Sequence, residues 1–242
     1  MNREATATDV LLLKRRPFRD GGDLLEGLSR CAGRVAGVLR RSSRSILDPP
    51  VLVHLVRREG PGLDTFSQPV VQTGYSGIRR NLDSMLVAGF LGRLYLASLP
   101  QDEPNETVFE ALCQVYEALG EGVDARACGL WGQSKLLDCL GLAPQLRGCV
   151  LCGLEPVFGF SAADGGVLCR SCFQGNGFRV VEAELSLARL LRLASLRQVS
   201  SELLDPDAVR VAGKIYKAQF QTHLELSADY FKRVLPRKGE KA

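Results

Sequence analysis

Two pairs of cysteines, each with two residues between them, constrain this chain more than any other feature of its sequence. Cys149 and Cys152 form the first pair, and Cys169 and Cys172 form the second pair after 16 intervening residues. This spacing is typical of a tetrahedral zinc site in which each tight turn supplies two thiolates. Four thiolates leave no open position for water or substrate. The pattern therefore predicts one structural Zn²⁺ per chain, with no catalytic role for the metal.

Two disulfides, or a redox dithiol of the thioredoxin kind, are the alternatives for these cysteines. The first residues contain no apolar stretch of the kind found in an export signal, so a reducing cytoplasm is the expected compartment. Thiolates bound to zinc fit that compartment better than disulfides do. The other cysteines stand singly among apolar neighbours, and we expect them to be small buried side chains. They are Cys31, Cys113, Cys128 and Cys139.

Length and composition predict an ordinary soluble protein of one or two domains plus the zinc module. The chain has 242 residues, of which 45% are hydrophobic and 24% are charged. That is enough to bury a normal core. No apolar run approaches the roughly 18 residues that cross a bilayer, so we expect no membrane partner.

The positive charge is concentrated in the first third of the chain. Residues 1–80 contain 14 Lys or Arg against 8 Asp or Glu, whereas residues 81–242 contain 17 against 19. A basic surface of this kind favours a polyanion such as DNA, bound mainly through its phosphates. We expect the DNA contacts to come from the basic residues before position 45. The candidates are Lys14, Arg15, Arg16, Arg19, Arg34, Arg40, Arg41 and Arg44.

The same segment has the turn residues and short β-prone runs of a small barrel. Such runs occur at residues 10–13, 35–39, 51–56 and 70–71, with Gly, Ser and Pro between them. An OB-type barrel would bind single-stranded nucleic acid on its strand face and loops. Aromatic residues are scarce here, and we expect Phe18, Phe66 and Tyr75 to belong to the core. Binding should then show little sequence preference and a steep dependence on salt.

After residue 80 the apolar residues recur at helical spacing. Asn105 is expected to cap a second helix, and the proline of Asp205-Pro206 to occupy the first position of a long one. The predicted fold is therefore α+β, with a basic OB-fold domain at 1–80 and a helical bundle that receives an inserted zinc finger. The bundle would comprise residues 81–148 and 176–242, with the four-cysteine finger at 149–175.

The sequence offers little support for catalysis. It contains no Gly-x-x-x-x-Gly-Lys-Ser/Thr loop for a nucleotide phosphate. His54 and His223 are the only histidines, and we interpret both as structural. The nearest approach to a carboxylate cluster is formed by Asp20, Asp23 and Glu26, which we expect to be loop and helix-start charges. These features predict that the protein is not an enzyme.

Four segments together resemble the RecO family of bacterial DNA repair proteins. They are GRVAGVLRRS at 33–42, the Leu-rich helix near 82–96, GLAPQLRGCVLC at 141–152 and GGVLCRSC at 165–172. The resemblance covers nearly the whole chain and implies an OB fold, a helical domain and, as in many members, a four-cysteine zinc finger. The turn at 19–23 departs from the Gly-Glu-containing turn often seen in the family.

The resemblance also implies a function and partners. These are binding of single- and double-stranded DNA, annealing of complementary strands and, with RecR, loading of RecA onto DNA coated by single-strand-binding protein. A nucleoid-associated location in the cytoplasm would follow. Two other interpretations remain open: a protein-docking adaptor whose basic surface is incidental, and a metal-dependent DNA-processing enzyme.

Overall fold

Five β-strands form a closed barrel at the start of the chain. The computed structural model describes residues 5–40, 47–199, 204–227 and 230–231. The barrel strands are β1 (Ala5–Pro17), β2 (Asp23–Ser29), β3 (Gly33–Leu39), β4 (Val51–Arg58) and β5 (Asp64–Thr73). They pair in the order β1-β2-β3-β5-β4, and β4 also pairs with β1. The predicted strand runs all fall within β1, β3, β4 and β5.

Alternation of side chains along the strands builds the barrel core. In β4, for example, Val51, Val53 and Leu55 point inward while the residues between them are more exposed. The core is a cluster of ten buried apolar side chains from the strands and one nearby segment. They are Val10, Leu12, Leu25, Val35, Leu39, Leu47, Val51, Val53, Leu55 and Phe66.

Strand β2 is where the sequence-based expectation was wrong. Asp23 and Glu26, expected as loop and helix-start charges, both lie on this strand. The sequence pattern did not indicate this strand because Gly27 lies within it, and glycine is a poor strand former. Here glycine is needed, since a Cβ at Gly27 would lie 2.4 Å from the carbonyl oxygen of Leu11 on β1. The strand pairs with both β1 and β3.

Two helices belong to the same compact unit as the barrel. This unit covers Met1–Gly122. Helix α1 (Leu82–Ser98) is capped at its N-terminus by Asn81, whose side chain accepts hydrogen bonds from the amides of residues 83 and 84. Helix α2 (Glu106–Glu121) is capped at its N-terminus by Asn105, whose side chain accepts a hydrogen bond from the amide of Val108. The predicted cap at Asn105 is confirmed.

The second compact unit covers Val123–Ala242 and contains the paired cysteines. Its helices are α3 (Ala125–Cys139), α4 (Ser186–Leu193) and α5 (Pro206–Leu224). Pro206 does occupy the first position of α5, and Asp205 caps that helix. Between α3 and α4 lies a three-stranded sheet of order β7-β6-β8, formed by β6 (Val157–Ser161), β7 (Gly166–Cys169) and β8 (Phe178–Arg179).

The α+β class, with an OB barrel followed by helices and an inserted four-cysteine module, is confirmed. Helices α1 and α2 group with the barrel, and α3, α4 and α5 group with the cysteines. The finer division into domains at 1–80, 81–148, 149–175 and 176–242 stays a prediction.

Candidate metal centre and nucleic-acid interface

The four paired cysteines come together at one point of the second unit. Their sulfur atoms all lie within 4.8 Å of one another. The Sγ of Cys152 is 3.6 Å from that of Cys169 and 3.7 Å from that of Cys172. Sulfurs bound tetrahedrally to zinc at about 2.3 Å would be about 3.8 Å apart. The donor set and its spacing therefore fit a tetrahedral thiolate site.

Local backbone geometry produces this convergence. In the first turn the amide of Cys149 donates to the carbonyl of Leu154 at 3.0 Å, and the amide of Gly153 donates to that of Cys149 at 2.7 Å. Gly153 has a φ of +75°, a conformation that glycine adopts without strain. In the second turn the amide of Phe173 donates to the carbonyl of Cys169 at 3.0 Å. Each turn thus directs two thiols to one side.

Hydrogen bonds within the cysteine cluster shift the pKa values of Cys149 and Cys172 in opposite directions. Burial raises the pKa of Cys149, but hydrogen bonds from the backbone at Cys169, Cys152 and Leu151 outweigh it and lower that pKa to about 6. The thiol hydrogen bonds with its three neighbours raise the pKa of Cys172 to about 12. The Cys149 thiolate therefore forms readily, and its charge and hydrogen bond disfavour ionisation of Cys172. A divalent cation is the species that allows all four to be charged together.

The remaining cysteines do not form a site. Cys113 and Cys128 are buried as expected, and burial raises the pKa of Cys113 to about 11 and that of Cys128 to about 12. Cys139 is half-buried. Cys31, however, is exposed and contacts the hydroxyl of Thr8 at 3.1 Å, so the expectation of burial was wrong for it.

A second candidate site is a groove on the barrel. It lies between the loop that joins β1 to β2, residues 18–22, and the loop that joins β4 to β5, residues 59–63, and has a volume of about 480 Å³. In OB folds these two loops and the strand face beside them form the usual ligand site. The lining residues are Phe18, Arg19, Gly22, Val38, Arg40, Leu63, Asp64 and Thr65. We call this region the barrel groove.

Two of the predicted DNA-binding residues meet in the barrel groove. Arg19 and Arg40 are both exposed, and among the described side chains neither has a carboxylate partner. Among the described lining residues the acidic one is Asp64, which already accepts from Arg57 Nε at 2.5 Å and from the amide of Gly60 at 3.2 Å. The groove therefore presents two available guanidinium groups beside a neutralised carboxylate.

Phe18 adds an aromatic ring to the same groove. We expected Phe18, Phe66 and Tyr75 in the core, and Phe66 and Tyr75 are buried there. Phe18 instead keeps 36% of its surface exposed. Its position directly after a long strand, in the first loop of a five-stranded barrel, is the signal that could have identified it.

Three other predicted DNA-binding residues are held in ion pairs along β1. Lys14 and Arg16 both approach Glu26 of β2, with nitrogen-oxygen distances of 3.4 and 2.8 Å. Arg15 contacts Asp23 at 3.0 Å. Carboxylates on the neighbouring strand therefore reduce the charge that these residues offer to a phosphate.

The last three predicted DNA-binding residues are Arg34, Arg41 and Arg44. Arg34 is half-buried, and its Nε is buried without a hydrogen-bond partner. Arg41 and Arg44 lie outside the described residues. Their contacts with DNA, like those of the other candidates, stay predictions.

The histidines have structural partners. His54 Nδ1 lies 2.8 Å from the carboxylate of Asp9 on β1, and His223 Nε2 lies 3.0 Å from the carbonyl of Ala162. Across the described ranges, the four cysteines are the group of three or more His, Cys, Asp or Glu side chains that converges as metal ligands would. No helix in the described part of the chain is long and apolar enough to cross a membrane.

The second unit also carries a pocket rich in arginine, with a volume of about 380 Å³. Two of its three guanidinium groups are held by backbone carbonyls: Arg189 Nε donates to Leu146 at 2.9 Å and Arg192 Nη1 to Pro144 at 3.3 Å. These two also form ion pairs, Arg189 with Glu182 and Arg192 with Asp138. Leu193 beside them is 80% exposed. The lining residues are Asp138, Gln145, Leu146, Arg147, Arg189, Arg192 and Leu193. We call this region the arginine pocket.

Together these features define a class of protein: an OB-fold protein with a basic groove on its barrel and a four-cysteine module among its helices. Comparison with known proteins is more specific. A family model described as "Recombination protein O C terminal" matches residues 79–228, which is more than half of the chain. The chain belongs to the RecO family.

Relatives named "DNA repair protein RecO" extend this similarity into the barrel. The chain is 31% identical to that of Anaeromyxobacter sp. (strain K), over 79% of this chain and 78% of the relative. It is 28% identical to that of Geobacter metallireducens, over 91% of this chain and 93% of the relative. The corresponding protein of Bacillus velezensis is 28% identical over 78% of this chain and 76% of its own length.

Proposed function

We propose that this protein is a recombination mediator of DNA repair that acts in the RecF/RecOR pathway. It binds single- and double-stranded DNA, anneals complementary strands and, with RecR, helps to load RecA onto DNA coated by single-strand-binding protein. The observation that carries this proposal is the barrel groove, where Arg19 and Arg40 have no carboxylate partner among the described side chains and Phe18 is exposed. Membership of a family whose relatives are named for DNA repair supports it.

The proposed mechanism depends on charge neutralisation. Complementary strands repel each other through their phosphates, and cationic side chains that neutralise the phosphates bring the strands together. The exposed ring of Phe18 supplies a face on which a base of any identity can stack. Neither contact reads sequence, which suits a protein that must act on any break. Annealing in this way requires no nucleotide hydrolysis, and we propose that the protein is not an enzyme.

The four-cysteine site is proposed to hold one structural Zn²⁺ through Cys149, Cys152, Cys169 and Cys172. When bound, the metal balances the thiolate charges and fixes the two turns. Four sulfur ligands leave no position at which substrate could bind the metal.

The arginine pocket supports the proposed contact with single-strand-binding protein. An acidic peptide tail offers carboxylates to guanidinium groups and apolar side chains to an exposed leucine. Arg189 and Arg192 are held in place by backbone carbonyls and by ion pairs with Glu182 and Asp138, so little side-chain entropy would be lost when the carboxylates of such a peptide replace those partners. The same pocket is the observation that favours the alternative function, a protein-docking adaptor with incidental DNA binding. A nucleoid-associated location in the cytoplasm is part of the main proposal.

Annealing of two fluorescent complementary oligonucleotides, without nucleotide and across a salt series, tests the proposal. We expect the variant Arg19→Glu/Arg40→Glu to lose at least about tenfold in affinity for single-stranded DNA, and its salt slope to become shallower by about 1.4. Its annealing rate should fall in parallel.

The matched control is Arg58→Glu/Arg93→Glu, which changes the net charge equally at exposed positions of the same unit outside the barrel groove. Equal effects of the two variants would reject the groove as the binding site. Normal DNA binding and annealing in both would favour the adaptor. Cleavage of labelled DNA in magnesium that follows the purified protein would favour the third interpretation, a metal-dependent DNA-processing enzyme.

A further inference from the structure

The second unit carries a group of cations that lie over aromatic rings at the cysteine module. The guanidinium carbons of Arg170 and Arg179 are 5.6 and 5.1 Å from the centre of the Phe158 ring. The ammonium of Lys214 on α5 is 3.9 Å from the centre of the Phe178 ring. We call these residues and Phe173 the module surface, because Phe173 packs edge-on against Phe158 with ring centres 5.7 Å apart.

The cations of the module surface are exposed and available. Within the described part of the chain, Arg170, Arg179 and Lys214 have no carboxylate within ion-pair distance. Other basic residues of the same unit are engaged: Arg192 pairs with Asp138 at 3.0 Å, and Arg210 pairs with Glu184 at 3.2 Å. A guanidinium over a ring keeps its N–H groups directed outward, where they can donate to a phosphate.

The rings are accessible as well. Phe158, Phe173 and Phe178 are all partly exposed. A contrasting pair in this unit shows what a purely structural cation-ring contact looks like. Lys135 lies 5.2 Å from the ring of Trp131, but that ring is buried and its Nε1 donates to the carbonyl of Ala194 at 3.0 Å. The aromatic residues of the module surface are less buried than Trp131, so part of each side chain stays accessible to a ligand beside the cations that cover it.

The cysteine turns hold the module surface in place. Arg170 lies between the two cysteines of the second turn, and Phe173 follows that turn directly. Gly159 of β6 makes room for the Phe173 ring, since a Cβ there would lie 2.4 Å from it. Phe178 and Arg179 lie on β8, which pairs with β6. Arg170 and Phe173 thus depend on the second turn directly, and Phe178 and Arg179 are held by the pairing of β8 with β6.

We infer that the module surface is a second binding site for single-stranded nucleic acid, separate from the barrel groove. Alternating exposed cations and rings are the recognition chemistry of single strands, in which bases stack and phosphates are neutralised without base readout. The inference deepens the proposed function and depends on it. A protein that holds one strand at the barrel groove has here a second set of contacts, for another strand or for a further stretch of the same one.

The test measures affinity of the full, zinc-loaded protein for a fluorescent oligo(dT) across a salt series. We expect Arg170→Gln/Arg179→Gln/Lys214→Gln to lower affinity at least about tenfold and to make the salt slope shallower by about 2, since about 0.7 counterions are released per contact. Phe158→Leu, which keeps the charges and removes the ring, should lower affinity about fivefold or more.

The matched control is Arg126→Gln/Arg197→Gln/Arg210→Gln, which removes three exposed charges from the same unit away from the rings. Zinc content and circular dichroism are recorded for every variant. If the triple variant loses zinc, Lys214→Gln alone decides the matter, because Lys214 lies on α5 and outside the cysteine turns; we expect it to lower affinity about threefold.

The outcomes separate this inference from the proposed function. Equal affinities of the module variant and the control, with affinity reduced in Arg19→Glu/Arg40→Glu, would overturn the inference alone. Absence of DNA binding by the wild-type protein would overturn both. Unchanged oligo(dT) affinity together with lost affinity for an acidic peptide would also overturn it, because the surface would then recognise protein.

Discussion

The barrel and the cysteine module are both small β-structures, yet they are held together differently. In the barrel, ten buried apolar side chains, nine of them from the five strands, form one cluster, and the strands close on themselves. In the module, the cluster around the sulfurs consists of Cys149, Leu168 and Cys169, supported by a few partly buried neighbours. The strands β7 and β8 have only four and two residues.

This difference in buried apolar surface explains why a metal would stabilise the module and is not required by the barrel. The barrel buries enough apolar surface to offset the conformational entropy lost on folding. The module has short strands and only a small buried cluster around its sulfurs, which is the situation in which small domains use a metal or disulfides. In the barrel the charge of a buried carboxylate, Asp64, is balanced by Arg57. In the module the same task would fall to the proposed Zn²⁺.

Loss of one sulfur ligand should therefore have the largest effect. We expect Cys149→Ser to abolish zinc binding, because metal affinity of the order of 10 kcal/mol is part of the folding free energy of such a site. Metal analysis gives zinc content, and hydrogen exchange reports the state of each region. Exchange should become fast in residues 149–179 and stay slow in β1–β5. Full zinc content with unchanged exchange would show that the module does not need the site.

Truncation of the barrel core should come next. Phe66 is 1% exposed and lies against Gly37 of β3. We expect Phe66→Ala to lower the free energy of unfolding by about 3–5 kcal/mol through lost burial and a cavity. Urea denaturation measures this, and zinc content should not change. A loss below about 1 kcal/mol would contradict the view that apolar burial holds the barrel.

Removal of the buried cation of the barrel tests its electrostatic part. Arg57 donates through Nε to Asp64 and through Nη2 to Asp102, both at 2.5 Å, and its side chain is 8% exposed. We expect Arg57→Leu to cost about 3 kcal/mol, because Asp64 stays buried without its partner. The double variant Arg57→Leu/Asp64→Leu should recover most of that loss in urea denaturation. No recovery would mean that Arg57 acts through packing instead.

A smaller effect, and one that depends on pH, is expected at the start of α3. Burial raises the pKa of Asp124, but hydrogen bonds from the side chain of Arg126 and from the amides of Ala127 and Arg126 outweigh it, so the net pKa is lowered. A carboxyl whose pKa is lower in the folded state stabilises above its unfolded pKa of about 3.9, and this stabilisation is lost as pH falls through the folded value.

We therefore expect Asp124→Ala to cost about 1 kcal/mol at pH 7 and less below about pH 4. The control is Asn81→Ala in the barrel unit, which removes a neutral cap of α1 and should cost a similar amount at both pH values. Unfolding followed by circular dichroism at pH 7 and pH 3.5 measures both. A cost for Asp124→Ala that does not change with pH would contradict the role of its charge.

The two regions were also unequally predictable from the sequence. Ligand type and spacing alone predicted the convergence of Cys149, Cys152, Cys169 and Cys172, because two short turns can close on one ion in few ways. Alternation predicted four barrel strands. It missed β2, where Gly27 interrupts the pattern for the sake of close approach to Leu11.

The DNA-binding candidates show what local pattern cannot reveal. Charge clustering treated Lys14, Arg16 and Arg19 alike, yet the first two meet Glu26 across the sheet and only the third reaches the barrel groove. Which carboxylate faces which base depends on strand register, which is a tertiary property. The arginine pocket and the module surface were missed for the same reason, since each joins residues far apart in sequence.

The pairing of β3 with β5 is the part of the barrel that we expect to open most often. The parallel pairing of β3 with β5 spans only three residue pairs, Gly37 with Asp64, Val38 with Thr65 and Leu39 with Phe66, whereas the other pairings are longer. Because so few residue pairs hold this ladder, we expect it to be the first of the barrel pairings to open. Val38, Asp64 and Thr65 also line the barrel groove. Single-stranded DNA bound in the barrel groove would make local opening of this pairing less frequent. Amide hydrogen exchange at residues 64–66 would then become slower when DNA binds.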